Sequence, residues 1–533
     1  MQEKHPSTRR SFLKGVAACP VLLVAPPPAL AKESVGRPVA ASIGPSTKTE
    51  PYLLPSIAGA KTVSILTVGD AAGGYRMVGI PDGLGAFRSG GGQFTLLMNH
   101  ELGGTVGIVR GHGSQGAFVS RWTIDAHTLE VRKGEDHTPS AAKVFTWDAV
   151  AGRYVAGTTV WQRFCSADLP ERSAFSSRGA GTQELIFMGG EEVADGRAWA
   201  RVASGEHLGE AWQLPRLGRM AFENAVACPY PQEKTIVALT DDSNLSTSPT
   251  PPTGQPSEVY FYVGSKTRRG HPIERAGLTN GALYGVAMSV DGRAVGGEDN
   301  VFGLGDATTG YIGKGRFVLV NLGDVSALSS TQLEAASIAA GVTRLQRCED
   351  GAWDPREGRQ DDFYFVTTAS ETSNCRLWRL SFDDIENPER GGTVEILLRG
   401  DEGHKMLDNV CIDRRGRILM DEDPGNSDRI SKVWLYAIDT RELLMVAAHN
   451  PKFFDSSTPA AVNPAFITRD EESSGIIDAA EILGEGWFLL DVQAHKPSTD
   501  AELVEGGQLL ALFVDPRVGL EPRGHRGEER QER

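Results

Sequence analysis

The chain has 533 residues, 54 Lys+Arg against 69 Asp+Glu, and a formal net charge of −15. A hydrophobic share of 40% and a charged share of 23% exclude a mainly disordered chain, and the acidic balance excludes a general nucleic-acid binder, whose footprint is basic. Beyond the N-terminus no apolar run approaches the ~18 residues of a membrane span, so no transmembrane segment is expected.

Thr8-Arg9-Arg10-Ser11-Phe12-Leu13-Lys14 precedes an apolar stretch from Gly15 to Ala25, and Ala29-Leu30-Ala31 offers a small-residue cleavage site. A basic start, an apolar middle and an Ala-x-Ala end make residues 1–31 a twin-arginine signal peptide. It would engage the twin-arginine export machinery and deliver the protein to the periplasm or the medium. Val16-Ala17-Ala18-Cys19 also has the form of a lipobox, so a lipid anchor at Cys19 is the alternative; the apolar run continuing past Cys19 argues against it. Cleavage after Ala31 leaves 50 Lys+Arg, 68 Asp+Glu and a net charge of −18. Twin-arginine substrates are exported folded, often with a cofactor loaded, which raises the expectation of a metalloprotein. Five cysteines remain: Cys165, Cys228, Cys348, Cys375 and Cys411. That sparse, odd set is no disulfide framework, and no Cys-x-x-Cys pair suggests structural zinc.

Residues 32–60, rich in Pro, Ser and Ala, read as a loose lead-in. Short β-patterned runs then follow at 62–68, 94–98, 116–124, 184–188, 235–239, 258–263, 316–321, 363–367, 376–382, 394–398, 417–420, 432–438, 487–492 and 508–514, separated by turn residues. Helical patterning is confined to 330–340 and a short stretch at 383–387. Residues 517–533 read as a charged, disordered tail.

One pattern recurs. A polar opening leads into a first short apolar strand, a second strand ends near carboxylates, and a third carries an aromatic residue. The openings are Glu223-Asn224-Ala225-Val226, Glu349-Asp350-Gly351-Ala352-Trp353, Asp408-Asn409-Val410-Cys411-Ile412 and Glu472-Ser473-Ser474-Gly475-Ile476. Repetition at intervals of tens of residues points to an all-β fold, a β-propeller with irregular insertions and few short helices, spanning 61–516 as one domain. A large β-sandwich or two smaller all-β domains is the alternative.

In a propeller, equivalent residues of successive blades surround one axis. Glu223, Glu349, Asp408 and Glu472 would then converge at one mouth of the channel, where close carboxylates repel and call for hard cations, above all calcium. The plainer possibility is that each caps a turn of its own blade. The strand ends Asp421-Glu422-Asp423 and Asp241-Asp242 can add ligands, with Glu422 the chosen candidate. Asn99-His100-Glu101 and Gly189-Gly190-Glu191-Glu192 each follow an apolar strand and bring Glu101, Glu191 and Glu192 to a mouth. Phe164-Cys165-Ser166 supplies the soft ligand, and a thiolate beside carboxylates suits iron. Arg347, two residues before Glu349, points a guanidinium toward the carboxylates, either to neutralise them or to hold a phosphate by two parallel hydrogen bonds. No Gly-x-Ser-x-Gly before a helix, Walker loop, dinucleotide fingerprint or His-Glu-x-x-His is present.

These residues in this order resemble the PhoX-type secreted alkaline phosphatases. The shared features are the paired arginines, Asn99-His100-Glu101, Cys165-Ser166-Ala167-Asp168-Leu169-Pro170, Gly190-Glu191-Glu192 and Phe222-Glu223-Asn224. They continue with Glu258-Val259-Tyr260-Phe261-Tyr262-Val263-Gly264 and Lys266, Arg347-Cys348-Glu349-Asp350-Gly351, and Asp408-Asn409-Val410 leading to Glu422-Asp423. The resemblance implies six blades, a calcium and iron cluster at one end of the channel, and hydrolysis of phosphate monoesters, with diesters a further option, by a monomer. Carried over, Cys165 and a glutamate of Gly190-Glu191-Glu192 would bind iron with Glu101 nearby. Glu223, Glu349, Asp408 and Asn409 would serve calcium, and Arg347 would grip the phosphate of a small ester. The family usually has Pro between the Arg and Glu of the 347–349 segment, where this chain has Cys348. Glu471-Glu472-Ser473-Ser474-Gly475 and Gln493-Ala494-His495 also resemble phytase-like or esterase-like propellers. Such a hydrolase and a non-catalytic, calcium-stabilised binding propeller are therefore the alternatives.

Overall fold

Alternating apolar residues on short strands must bury one face, and stacking several small sheets about an axis buries the faces of all of them. The computed structural model describes residues 40–243, 257–290, 293–294, 314–368, 370–372, 374–457 and 462–520, and it has this form. The expected signal over 1–31, Cys19 within it, and residues 521–533 of the expected tail lie outside the described residues.

Six inner strands line the axis: Pro81–Gly90, Phe164–Asp168, Arg219–Ala227, Cys348–Trp353, Leu407–Ile412 and Glu471–Asp478. Each packs against the next, and the last packs against the first, so the ring is closed. The fold is a six-bladed β-propeller, the architecture that the strand pattern and the resemblance predict.

Blade 1 continues outward through Gln93–His100, Phe118–Asp125 and Val131–Asp136. Blade 2 uses Ile186–Val202, which folds back on itself (Ala203 N donates to Leu185 O at 2.8 Å), then Ala211–Gln213 and, parallel to it, Val144–Asp148. Blade 3 is Lys234–Asp241, Val259–Ser265 and Ala282–Val290. Blade 4 is Asp362–Thr367, Arg376–Phe382 and Gly392–Leu398, and Lys314–Gly323 pairs with the outer strands of both blades 3 and 4. Blade 5 is Arg417–Glu422, Lys432–Ala437 and Glu442–His449.

Blade 6 joins the two ends of the chain. Trp487–Ala494 and Gly506–Val514 are C-terminal, and Ala60–Thr67 pairs antiparallel with Gly506–Val514 as the outer strand. Within the expected lead-in, Ala40–Ile43 and Leu53–Pro55 are strands added to the edges of blades 6 and 5.

Among the described residues the helix expected at 330–340 is Ser330–Ala340. Ser329 and Gln332 cap its start reciprocally, and Gly341 ends it at φ +77°. The helix expected at 383–387 does not form. Pro388 pushes Asn387 out of the helical region (φ −130°, ψ 64°), and a short 3₁₀ turn, Pro388–Arg390, follows instead.

Between blades the core is aromatic and aliphatic; one layer joins Phe261, Phe363, Phe365, Trp378 and Phe382 between blades 3 and 4. Cys348 lies in that apolar layer with no exposed surface, as a buried small residue.

Leu490, fully buried in the second strand of blade 6, tests the ring closure. Leu490→Ala is expected to cost ~2–5 kcal/mol, against under ~0.5 kcal/mol for Val318→Ala on the surface, read as denaturant midpoints.

Candidate metal centre

Two positions in every blade build one mouth of the channel. The first is on the inner strand. Each inner strand breaks register with the next strand of its blade at or just after this position: between Asp82 and Leu84, Phe164 and Ala167, Phe222 and Asn224, Cys348 and Gly351, Leu407 and Val410, and Ser474 and Ile477. A β-bulge leaves a residue unpaired and re-aims its side chain.

The second position ends the next strand. Its N–H returns to the carbonyl two residues before the first position, in all six blades. Glu101 donates to Ile80, Glu192 to Arg163, Asp242 to Ala221, Thr368 to Arg347, Asp423 to Met406 and His495 to Asp470, at 2.8–3.0 Å. These six bonds make Asp82, Cys165, Glu223, Glu349, Asp408 and Glu472 structural equivalents. Ile80, Arg163, Arg347 and Met406 hold left-handed backbone, φ +40° to +50°, uncommon outside glycine. Space is short there: a Cβ on Gly83, beside Asp82, would meet Ala167 N at 2.5 Å.

Donor atoms from these positions form four overlapping groups, each within 4.8 Å: Asp82, Glu101 and Cys165; Cys165, Glu192 and Glu223; Glu223, Glu349 and Asp408; Asp408, Asp423 and Glu472. Cys165 Sγ stands 3.4 Å from Asp82 Oδ2, and Gln493 Nε2 donates to Asp82 at 3.0 Å and Glu101 at 3.1 Å. The Ser166 hydroxyl joins Glu223 to the Asn409 amide. Asn409 Oδ1 accepts from Gly475 N at 3.0 Å.

Two arginines flank the groups. Arg347 bonds Asp242 at 2.9 Å and Glu349 at 2.8 Å. Arg163 bonds Glu101 at 2.5 Å and Glu192 at 2.6 Å. Their side chains stay 21% and 46% exposed, so both guanidiniums reach the mouth.

Burial and crowding push the acids up. Burial, then Asp408, Glu192 and Asp82, hold the Glu223 carboxyl well above its ordinary range. Burial raises Glu349 far up too, against the pull of Arg347. Asp82, Asp408 and Glu472 rise through burial and then neighbouring carboxylates. Burial leaves Glu192 at about 7 despite Arg163, and Asp242 at about 7 despite Arg347. Burial, then Asp82, Glu223 and Glu101, keep the Cys165 thiol protonated. A cation among them would oppose these shifts and favour the ionised forms.

The donor set fits such cations. Asp408 Oδ1 is buried without a hydrogen-bond donor. The groups centred on Glu223, Glu349 and Asp408 are oxygen-only, as calcium prefers, and the two groups containing Cys165 add the sulfur that iron accepts.

Of the residues singled out in the sequence, Glu101, Cys165, Glu192, Glu223, Glu349, Asp408 and Glu472 meet in these groups, with Asn409 and Arg347 beside them. Two are directed elsewhere. Glu191 is clamped by Arg197 Nε at 2.5 Å and Nη2 at 2.8 Å, and Glu422 by Arg429, Trp434 Nε1 and Lys405 N. Each sits one residue before the second position, and successive strand residues face opposite ways. Their neighbours Glu192 and Asp423 take the place. Asp242, named with Asp241 as a strand end able to add a ligand, bonds Arg347 at the mouth, and Asp82, Arg163, Ser166 and Gln493 complete it beyond the candidate set. Arg163 precedes Cys165 by two residues as Arg347 precedes Glu349, a spacing readable in the sequence once the equivalence is known.

No family model and no curated protein matches the chain. Among solved structures, Pseudomonas fluorescens PhoX in complex with vanadate, a transition state analogue, has TM-score 0.54 at 13% identity, covering 91% of this chain and 98% of that one. The fold is thus PhoX-like. The GH93 alpha-L-arabinofuranosidase of Fusarium graminearum has TM-score 0.34 at 8% identity, covering 84% and 97%.

Away from the mouth, burial raises Asp168 from 3.8 to about 7, opposed by the Ala227 N–H. The folded chain keeps a proton that the unfolded chain releases, so this group's stabilisation is full below pH ~4 and is lost as pH rises to about 7. In calcium-free buffer, Asp168→Asn is therefore expected to gain melting temperature relative to wild type progressively between pH 4 and 7.5. A constant difference would contradict the raised value.

Proposed function

We propose that the chain is an exported, metal-dependent phosphatase that hydrolyses phosphate monoesters at the propeller mouth. The observation that carries this reading is the run of four donor groups flanked by Arg163 and Arg347. Carboxylates alone would repel a phosphate dianion; two guanidiniums at their rim, with cations among them, make the same place attractive to one. The PhoX structure with its vanadate supports the choice of phosphoryl chemistry over other propeller chemistries.

Calcium at the oxygen-only groups and iron at Cys165 would supply Lewis acidity toward the phosphoryl oxygens and a nucleophile at neutral to alkaline pH. The chain's own residues do the rest. Arg347 has its Nε and Nη2 on Asp242 and its Nη2 also within 2.8 Å of Glu349, which fixes the guanidinium plane and leaves Nη1 for a phosphoryl oxygen. Arg163, anchored on Glu101 and Glu192, adds a second guanidinium for the phosphate at the same mouth. Ser166 and Gln493 orient Glu223 and Asp82, so the ligands are set before substrate arrives.

With calcium and iron loaded, the protein is expected to hydrolyse p-nitrophenyl phosphate at alkaline pH. Arg347→Ala should lower kcat/KM by roughly 10²–10³-fold, Glu349→Ala should abolish turnover, and Glu191→Ala and Glu422→Ala should keep the metal content, read by elemental analysis. A fully metallated protein inert on a panel of phosphate mono- and diesters would refute the proposal.

A further inference from the structure

A second donor cluster lies apart from the mouth, where blade 2 meets blade 3. His207 and Glu210 stand on the turn between Ile186–Val202 and Ala211–Gln213. His271 precedes the short helix Pro272–Arg275, in the connection between two strands of blade 3. His207 Nδ1 is 3.1 Å from Glu210 Oε1, His271 Nε2 is 2.8 Å from Glu210 Oε2, and the two ring nitrogens are 3.1 Å apart.

Two ring nitrogens and the carboxylate of one glutamate, from two separate connections, thus close a triangle of residues, and none of the three belongs to the central groups. For a tetrahedral ion with bonds of about 2.0–2.2 Å the donors sit ~3.3 Å apart, so the triangle needs only a few tenths of an ångström of expansion. Two imidazole nitrogens exclude calcium as the preferred occupant and favour a divalent transition ion.

Supporting contacts surround the triangle. Trp212 Nε1 donates to Glu210 Oε2 at 3.0 Å while its ring lies against His271, centroids 4.3 Å apart. Phe145 stacks behind Trp212 at 4.1 Å and Tyr154 meets its edge at 4.8 Å. The carboxylate and one imidazole are thereby held from behind, as second partners hold metal ligands. His207 is 31% exposed against 15% for Glu210 and His271, which leaves a fourth coordination position toward solvent.

We propose that His207, Glu210 and His271 bind one zinc ion, which staples the blade 2 turn to blade 3. Binding has a defined local cost. His271 Nδ1 accepts Ile273 N at 3.3 Å, and an Nε2-ligated ring carries its proton on Nδ1 and gives up that bond. The other half of the helix cap, His271 N to Glu274 Oε2 at 2.9 Å, is kept.

The test uses the whole exported protein, loaded first with calcium and iron, then titrated with zinc and dialysed. Wild type is expected to retain one more zinc per chain than His207→Ala/His271→Ala, and zinc should raise the melting temperature of the wild type alone. Trp212→Phe should weaken zinc binding by roughly 10–100-fold. Hydrolysis of p-nitrophenyl phosphate should be unchanged in all variants. Equal zinc content in wild type and double variant would overturn the proposal, and should the double variant fail to fold, equal content in His207→Asn would do so.

Discussion

Carboxylates from all around the ring are pressed together at one end of the propeller axis, in a space where burial already disfavours their charged forms. Glu223, Glu349, Asp408, Asp82 and Glu472 all sit well above their ordinary range, and each is raised by its neighbours as well as by its own burial. Two arginines offset part of this repulsion from the rim, and both remain partly exposed. Protonation or cations must offset the rest. Burial and mutual repulsion thus hold these acids toward their protonated forms, and a bound cation would favour the ionised ones.

The backbone is shaped to create that crowding. A regular inner strand would alternate its side chains between neighbouring blades. Breaks in register enclose Cys165, Glu223, Glu349 and Asp408 and free them to turn toward the axis, while Asp82 and Glu472 keep their partners Asn99 and Gln493 with the break just beyond; left-handed residues stand two positions before Asp82, Cys165, Glu349 and Asp408. A second ring follows from a single repeated bond, the N–H of its residue reaching the carbonyl two residues before the first-ring residue. Which acid of a pair becomes a ligand then reduces to parity along a strand. Glu192 and Asp423 face the mouth, while Glu191 and Glu422 face Arg197 and Arg429.

The periphery is organised differently. Near the axis the packing is dictated by a six-fold equivalence; at the blade edges each connection is individual. The triangle of His207, Glu210 and His271 has no counterpart among the described residues of the other blades, and it ties together two connections of different blades. The central groups gather residues from every blade, and this one lies at the joint between two.

Blades 3 to 6 were legible in the sequence because the first three strands of each follow one another in chain order as they do in space. Their openings at Glu223, Glu349, Asp408 and Glu472 are true equivalents. Blade 1 keeps that order but its opening is hidden, and blade 2 breaks it. Asp82 sits between glycine-rich stretches with no apolar strand to announce it. Blade 2 takes its outer strand, Val144–Asp148, from before its inner strand, Phe164–Asp168. Composition and strand periodicity by themselves determined an all-β chain, because these depend only on local patterning, and the carboxylate repeat pointed to a propeller with an acidic mouth ahead of a sandwich. Which side chains share that mouth was decided by the tertiary structure. A bulge or a one-residue parity shift changes nothing in the pattern of residues, yet moves a carboxylate from one face of a strand to the other.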